Sequence, residues 1–310
     1  MNWLIIGQGA IGLLWYHHLQ QYTRLNNSSE ITSLSLLASK NHDHSQKNYQ
    51  YTSLEQDVFQ GKIKYATHTQ LQSADTIFLC LKSYQITFAI QQISAHIKTD
   101  ANIILAHNGM GTLEELSPNF TKTHPIYVLI TTHGCLRSKP LTITHTGAGK
   151  SELGLLFGHN NPRIEKVLSS TLHNALSPTI FEVDITKKQW LKLAINCVIN
   201  PITALHNINN GLVNNHQFTE QRKQIITELV AVAKAEGIHL SISDLNDNVQ
   251  LVAQATASNC SSMRCDVLAN RQTEIDYING YIHRLGIKHN IKTPENSKNY
   301  HHVKALLTAK

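Results

Sequence analysis

Trp3-Leu-Ile-Ile-Gly7-Gln-Gly9-Ala-Ile-Gly12 is a short apolar run followed by glycines in G-x-G-x-x-G spacing, with a helical continuation through Leu13-Leu14-Trp15 toward Gln21. This is the strand, turn and helix order that a dinucleotide-binding fingerprint requires. Gly7 permits the tight turn, Gly9 lets backbone approach a pyrophosphate, and Gly12 lets the helix pack closely on the strand. Gln8, Ala10 and Ile11 complete a turn whose N–H groups, at a helix N-terminus, favour negative charge. A purely structural glycine turn is the competing reading. The next strand is expected at Ile31 to Ala38, where an NAD enzyme usually carries Asp or Glu for the ribose hydroxyls. Here the chain reads Leu36-Leu37-Ala38-Ser39-Lys40. Without that carboxylate a 2′-phosphate meets no repulsion, and Ser39 and Lys40 can contact one, which tilts the expectation toward NADP. Against this, Lys40 reads equally well as a solvated loop charge.

Strand-like runs recur at Thr76–Leu81, Asn102–Ala106 and Ile126–Ile130, with helical patterns such as Gln85 to Ile97 between some of them. That alternation implies α/β architecture, a Rossmann-type doubly wound parallel sheet. Shorter strands near Leu141–Thr144, Leu153–Phe157 and Thr179–Val183, with a helix near Arg163–Ala175, are expected to finish the domain at residue 183. From Asp184 helical periodicity dominates, as in Ile225, Ile226, Leu229, Val232 and Ala233. Residues 184–310 therefore read as a second, all-helical domain.

Composition narrows the function classes. Net charge is +6, but Lys and Arg are scattered with no dense run, so a nucleic-acid partner is weakly supported and an anionic small molecule reads equally well. Five cysteines without a C-x-x-C pair argue against a disulfide framework and a zinc ribbon, and fit a reducing cytoplasm. No signal segment or membrane-length apolar span is read, so the expectation is a cytoplasmic protein with no membrane partner. Two patterns are decoys. Gly147-Ala-Gly149-Lys150-Ser151 resembles the end of a phosphate loop, but Thr144 stands where that loop needs glycine. Nineteen histidines suggest metal, yet no H-E-x-x-H occurs, and most are expected at the surface with no metal site.

Trp190-Leu-Lys-Leu-Ala-Ile-Asn-Cys-Val-Ile-Asn-Pro201 carries the chief functional signal. Lys192, Asn196 and Asn200 are four residues apart and share one helix face, while Leu191, Leu193, Ala194, Ile195, Cys197, Val198 and Ile199 make the remainder apolar. A lysine and two amides on such a helix need partners, supplied either by structural hydrogen bonds or by a ligand in a polar cleft. Further polar segments are Leu81-Lys82-Ser83 and His107-Asn108-Gly109-Met110-Gly111, both expected at the carboxyl edge of the sheet. Later come Asn259-Cys-Ser-Ser262-Met and Thr273-Glu274-Ile-Asp276-Tyr-Ile-Asn279-Gly280. Taken singly, each has a bland reading as surface charge, turn or helix-end residue.

Taken in order from residue 1 to about Lys304, these motifs resemble those of the ketopantoate reductase (2-dehydropantoate 2-reductase) family. The resemblance implies NADPH-dependent reduction of 2-dehydropantoate to (R)-pantoate in pantothenate and coenzyme A biosynthesis, with NADPH/NADP+ as cofactor. It implies Lys192 as general acid and substrate ligand, with Asn196, Asn200, Asn210 and Asn259 holding the substrate. Ser262, Met263, Arg264 and Cys265 would close around that substrate, and Asn108 would touch both substrate and cofactor. Residues 7–12, Lys82, the backbone at Cys135 and Glu274 match cofactor-binding positions, with Lys40 as the candidate for the 2′-phosphate. Many members carry an arginine directly after the second strand, where this chain has Ala38-Ser39-Lys40. The helical domain is of the substrate and dimerisation type, which leaves a homodimer open.

The residue types agree with such a reaction. Hydride delivered to a ketone leaves negative charge on its oxygen, and a cation that also donates a proton, as Lys192 can, suits that oxygen. Asparagines both donate and accept, so they orient a substrate bearing carboxylate, ketone and hydroxyl without adding charge. The rival readings are a reductase of another 2-oxo acid, a non-catalytic NADP-binding sensor, and a nucleic-acid binder motivated only by charge.

Overall fold

The computed structural model describes residues 1–26, 30–37 and 47–308; Ala38, Ser39 and Lys40 lie outside the described residues. The elements in chain order begin with β1 (Asn2–Ile6), α1 (Ala10–Asn26), β2 (Ser33–Leu37), β3 (Asn48–Thr52) and β4 (Val58–Lys62). Then follow α2 (His68–Gln72), β5 (Thr76–Leu79), α3 (Ser83–Ile93), β6 (Asn102–Leu105), α4 (Pro118–Thr123), β7 (Ile126–Thr131) and β8 (Gly134–Lys139). After β9 (Thr142–Gly147), β10 (Ser151–Phe157), α5 (Pro162–Ala175) and β11 (Thr179–Phe181), the chain is helical. Its helices there are α6 (Ile185–His206), α7 (Thr219–Ala235), α8 (Ile242–Ala255), α9 (Ser262–Leu268), α10 (Asn279–Lys288) and α11 (Pro294–Thr308).

Two compact units divide these elements: Met1–His107 with Glu115–Ile185, and Asn108–Glu114 with Thr186–Lys310. The first unit contains a seven-stranded sheet in the order β11-β10-β7-β6-β5-β1-β2. Its β2-β1-β5-β6-β7 portion is parallel, and β10 enters antiparallel to β7. Helices cover both faces of a parallel sheet, so its strands are near-continuous apolar runs, and all four residues of β5 and of β6 are buried, the polar Thr76 and Asn102 included. The chain leaves β1 toward β2 and returns to β5 on the other side of β1, which places the order reversal at the carboxyl ends of β1 and β5.

A second sheet of the first unit, ordered β4-β3-β9-β8, was not among the sequence expectations. The expected strand at Leu141–Thr144 belongs to it, as β9, rather than to the large sheet. In β3, Asn48-Tyr-Gln-Tyr-Thr alternates by twos, and Tyr49 and Tyr51 turn inward. Tyr49 meets Tyr16 of α1 edge to face, and Tyr51 stacks on His17 at 3.9 Å. Between this sheet and α1 lie His17, His133 and His145, all buried, with His18 beside them. The expectation of histidines at the surface fails for this group, because α1 places His17 and His18 against strands far away in sequence. Among the described residues no group of three or more His, Cys, Asp or Glu is placed to hold a metal ion, and no helix is long and apolar enough to cross a membrane.

The second unit is built around α6. Trp190, Leu193, Ala194, Cys197, Val198 and Ile199 of α6 are buried with Ile225, Ile226, Leu229, Val232 and Ala233 of α7. The segment Asn108–Glu114, which follows β6, is built into this helical unit. Met110 joins its apolar core, the Met110 N–H donates to the Tyr277 carbonyl at 2.8 Å, and Tyr281 Oη donates to Glu114 at 2.9 Å. Gly109 has φ +80°, and a Cβ there would lie 2.2 Å from the Tyr277 carbonyl oxygen, so this approach requires glycine.

Candidate active site

The glycine turn of the first unit has a different steric demand at each glycine. Gly7 has φ +124°, and a Cβ there would meet the Cys80 carbonyl oxygen at 2.2 Å. At Gly12 it would meet the Gly7 carbonyl oxygen at 2.1 Å. These two glycines are needed by the protein itself, for the turn and for close helix packing. Gly9 differs: the nearest atom to an added Cβ is the Cys80 carbonyl oxygen, 4.0 Å away. Glycine at that position keeps the backbone bare toward open space, which fits a pyrophosphate approaching the first turn of α1. Gln8, Ala10 and Ile11 are half-buried around it. Cys135 on β8 reaches the same turn, its Sγ donating to the Ala10 carbonyl at 3.5 Å, and burial pushes its thiol up to about 12. Lys82, half-buried, is the N-cap residue of α3 just beyond β5, at the carboxyl edge of the sheet.

The second unit brings the α6 stripe to one helix face. Lys192 and Asn196 are half-buried, Asn200 is buried, and Leu191 and Ile195 alongside are only partly covered, so between Gln189 and Ala204 this strip is the only part of the helix that is not fully buried. The Nδ2 of Asn196 is shut off from solvent without a hydrogen-bond acceptor, a state that a polar ligand would relieve. Pro201 lies inside α6 and has no N–H, so it deprives the Cys197 carbonyl, four residues earlier, of its intrahelical donor. Asn279 supplies the missing bond: its Nδ2 donates to the Cys197 carbonyl at 2.9 Å and to Asn296 Oδ1 at 3.0 Å. Asn296 in turn donates to the Ile225 carbonyl and to Glu228. This buried relay ties α6, α7, α10 and α11 together behind the stripe.

Two loops complete the second unit's candidate residues. Asn210 is buried; its N–H donates to the Asn259 carbonyl at 3.1 Å and its Nδ2 to Thr256 Oγ1 at 3.0 Å, which leaves Oδ1 without a donor. Asn259 itself is exposed. Ser262 is exposed at the start of α9, whereas its neighbour Ser261 is buried, caps α9 by accepting from the Arg264 N–H at 3.1 Å, and shares a 2.7 Å hydroxyl contact with Thr203. Met263 lies in the apolar core, and Arg264 donates to Asn207 at 2.9 Å and also to Asn209. Cys265 is half-buried, and burial pushes its thiol up to about 12. Glu274 is buried and accepts from the Asn108 N–H and from Asn108 Nδ2, both at 3.3 Å.

All of the predicted substrate residues therefore fall in the second unit, together with Asn108 and Glu274, while Gly7–Gly12, Lys82 and Cys135 fall in the first. Sequence reasoning assigned no role to Asn279 or Ser261. A signal for the first existed: a proline inside a helix leaves a carbonyl that needs a donor from elsewhere.

Residues 3–157 match the family model described as ketopantoate reductase PanE/ApbA, and residues 184–307 match that family's C-terminal model. A 2-dehydropantoate 2-reductase from Vibrio cholerae serotype O1 is 34% identical over 308 residues, covering 99% of this chain and 98% of its own. Among solved structures, a ternary structure of D-mandelate dehydrogenase with NADH and anilino(oxo)acetate matches with TM-score 0.86 at 23% identity, covering 100% of this chain and 99% of that one. This second likeness is one of fold. A probable 2-dehydropantoate 2-reductase, panE, from Bacillus subtilis matches with TM-score 0.80 at 25% identity, covering 99% of this chain and 100% of that one.

Proposed function

This chain belongs to the ketopantoate reductase family, and from that premise we propose that it reduces 2-dehydropantoate to (R)-pantoate with NADPH, as a step toward pantothenate and coenzyme A. The observation that carries the proposal is the α6 stripe, where Lys192, Asn196 and Asn200 share one helix face that runs from half-buried at Lys192 and Asn196 to buried at Asn200. The residues present fit a dinucleotide, since Gly9 leaves bare backbone at the start of α1 while Gly7 and Gly12 hold the turn. Gly7–Gly12, Lys82 and the Cys135 backbone would hold that cofactor, joined by Asn108 and Glu274 on its nicotinamide side. When bound, a reduced nicotinamide supplies the hydride.

Lys192 acts as general acid. Its ammonium sits against the ketone oxygen, offsets the charge that develops there, and passes a proton from Nζ to that oxygen as the carbon becomes tetrahedral. Asn196, Asn200 and Asn210 orient the substrate's carboxylate and hydroxyl, and Asn259 with Ser262–Cys265 borders it. A hydroxyl satisfied by such amides discriminates against simpler 2-oxo acids, because its absence leaves buried polar groups unpaired. NADPH is preferred over NADH on the strength of the second strand, which ends without Asp or Glu and is followed by Ser39 and Lys40. The cysteines, none of them in a disulfide, suit a cytoplasmic enzyme, and a homodimer is the assembly we propose.

The test is a scan of 2-oxo acids with NADPH and with NADH, following cofactor absorbance. The expected result is the highest kcat/KM for 2-dehydropantoate with NADPH. A stronger response to another 2-oxo acid, or dinucleotide binding without turnover, overturns the proposal.

A further inference from the structure

Arg137 stands on β8, yet its Nη1 donates to the Gln8 carbonyl in the glycine turn at 2.9 Å, across 129 residues of chain. We infer that Arg137 is a positioning residue for the dinucleotide: by holding the Gln8 carbonyl it fixes the Gln8–Gly9 peptide and presents the Gly9 N–H to the cofactor's pyrophosphate. The inference rests on the reading of this chain as a nicotinamide dinucleotide enzyme. A trans peptide is planar, so the carbonyl of one residue and the N–H of the next point in opposite directions. An anchor on the Gln8 oxygen therefore aims the Gly9 N–H away from Arg137, and at Gly9 the backbone is open, since an added Cβ finds no atom nearer than 4.0 Å. A cation on the carbonyl also polarises the peptide and makes its N–H a stronger donor.

The surroundings fit a built clamp. Cys135 and Arg137 are two residues apart and share one face of β8, and both reach the turn, through the Ala10 and Gln8 carbonyls. The pairing of β8 with β9 shifts register on each side of this segment, between Gly134 and Cys135 and again between Arg137 and Lys139. Such irregularities re-aim a strand locally. Gln8 is held by its side chain as well, Nε2 donating to Tyr65 Oη at 3.4 Å, so both ends of the residue are anchored. Sequence alone hides the clamp, because Arg137 sits in a polar strand with no motif around it.

The experiment measures dissociation constants of NADPH, NADH and 2′-AMP for the wild type, Arg137→Ala and Arg137→Lys. The three ligands separate the contributions: both dinucleotides contain the pyrophosphate, whereas 2′-AMP carries only the adenosine and its 2′-phosphate. Arg137→Ala is expected to weaken NADPH and NADH alike by roughly tenfold or more, the loss of a charge-assisted hydrogen bond, with 2′-AMP unchanged. Arg137→Lys, which keeps the charge and gives up the fork, is expected between the two with the same pattern. Unchanged dinucleotide binding in both variants overturns the inference, as does a loss confined to NADPH and 2′-AMP, which would make Arg137 a reader of the 2′-phosphate. A wild type that binds neither dinucleotide defeats the functional reading itself, a result distinct from tight binding that Arg137→Ala leaves untouched.

Discussion

The side chain of Asn279 donates at 2.9 Å to the Cys197 carbonyl, which Pro201 leaves without a donor from its own helix. The bond crosses 82 residues and repairs α6 between Asn196 and Asn200, two members of the polar stripe. Asn279→Ala should destabilise the protein by about 1–3 kcal/mol, because it leaves a buried carbonyl without a partner. Pro201→Ala returns a backbone N–H to that carbonyl. In the Pro201→Ala background the Asn279→Ala loss should therefore shrink by about half or more, the remainder coming from the bond to Asn296. Urea unfolding of the four proteins gives the coupling, and equal losses in both backgrounds would show that Asn279 acts elsewhere.

Gly9 and Gly12 separate ligand demand from fold demand within one turn. Gly12→Ala pushes a Cβ to 2.1 Å from the Gly7 carbonyl oxygen and should lower both Tm and dinucleotide affinity. Gly9→Ala meets nothing closer than 4.0 Å, so Tm should hold while NADPH binding weakens by at least about tenfold as the methyl occupies the pyrophosphate approach. Thermal melts with a fluorescence binding titration check both. An alanine at Gly9 that binds NADPH normally would remove the turn from the cofactor site.

What could be read from sequence follows from how far each interaction reaches along the chain. β1, β5 and β6 were legible because a parallel strand covered on both faces is a near-continuous apolar run, here broken only by the first residue of each, and the α6 stripe because its spacing is local. Of the second sheet only β9 was: Val58–Lys62 is largely exposed, Gly134–Lys139 is exposed over its last four residues, and neither has the apolar alternation that marks a half-buried strand. The same limit hid the buried histidines. His17 and His18 reveal their surroundings only when α1 is packed against β3, β8 and β9, and the contacts of Asn279 and Arg137 likewise join distant segments.

That histidine cluster predicts a pH dependence of stability. Burial lowers His17 to about 4, with Arg24 adding to the effect, and lowers His133 to about 4, with His145 adding to it. His18 falls to about 3 through burial first and then the neighbouring His17, His145 and His133. His145 is lowered by burial too, partly opposed by a backbone bond to Gly147 and by Glu55. These rings stay neutral in the fold, whereas in the unfolded chain a histidine titrates near ~6.5. Below that pH the unfolded chain binds more protons, so stability is lost as pH falls from about 6.5 toward about 4. Each extra proton contributes at most about 1.4 kcal/mol per pH unit, reduced here because the rings are only partly screened from water. Urea midpoints should drop between pH 7 and pH 5, and His133→Gln with His145→Asn should flatten the drop. A midpoint constant over that window would rule out neutral burial of the cluster.

Lys192 is the strongest single test of the chemistry. Lys192→Ala should lower kcat by roughly two to four orders of magnitude, the range for a positioned general acid, while NADPH affinity stays close to wild type. Asn210 gives a contrasting outcome: Thr256 holds its Nδ2 while its Oδ1 lacks a protein donor, so the role proposed for it is to orient the substrate rather than to move a proton. Asn210→Ala should raise KM for 2-dehydropantoate more than it lowers kcat, and Thr256→Val should shift KM the same way by freeing the amide. Asn200→Ala should also raise KM, measured well below its Tm because the side chain is buried. Steady-state kinetics over substrate and NADPH separate these outcomes. A near-normal kcat for Lys192→Ala would remove it as the acid, and an unchanged KM in both asparagine variants would remove their proposed contacts with the substrate.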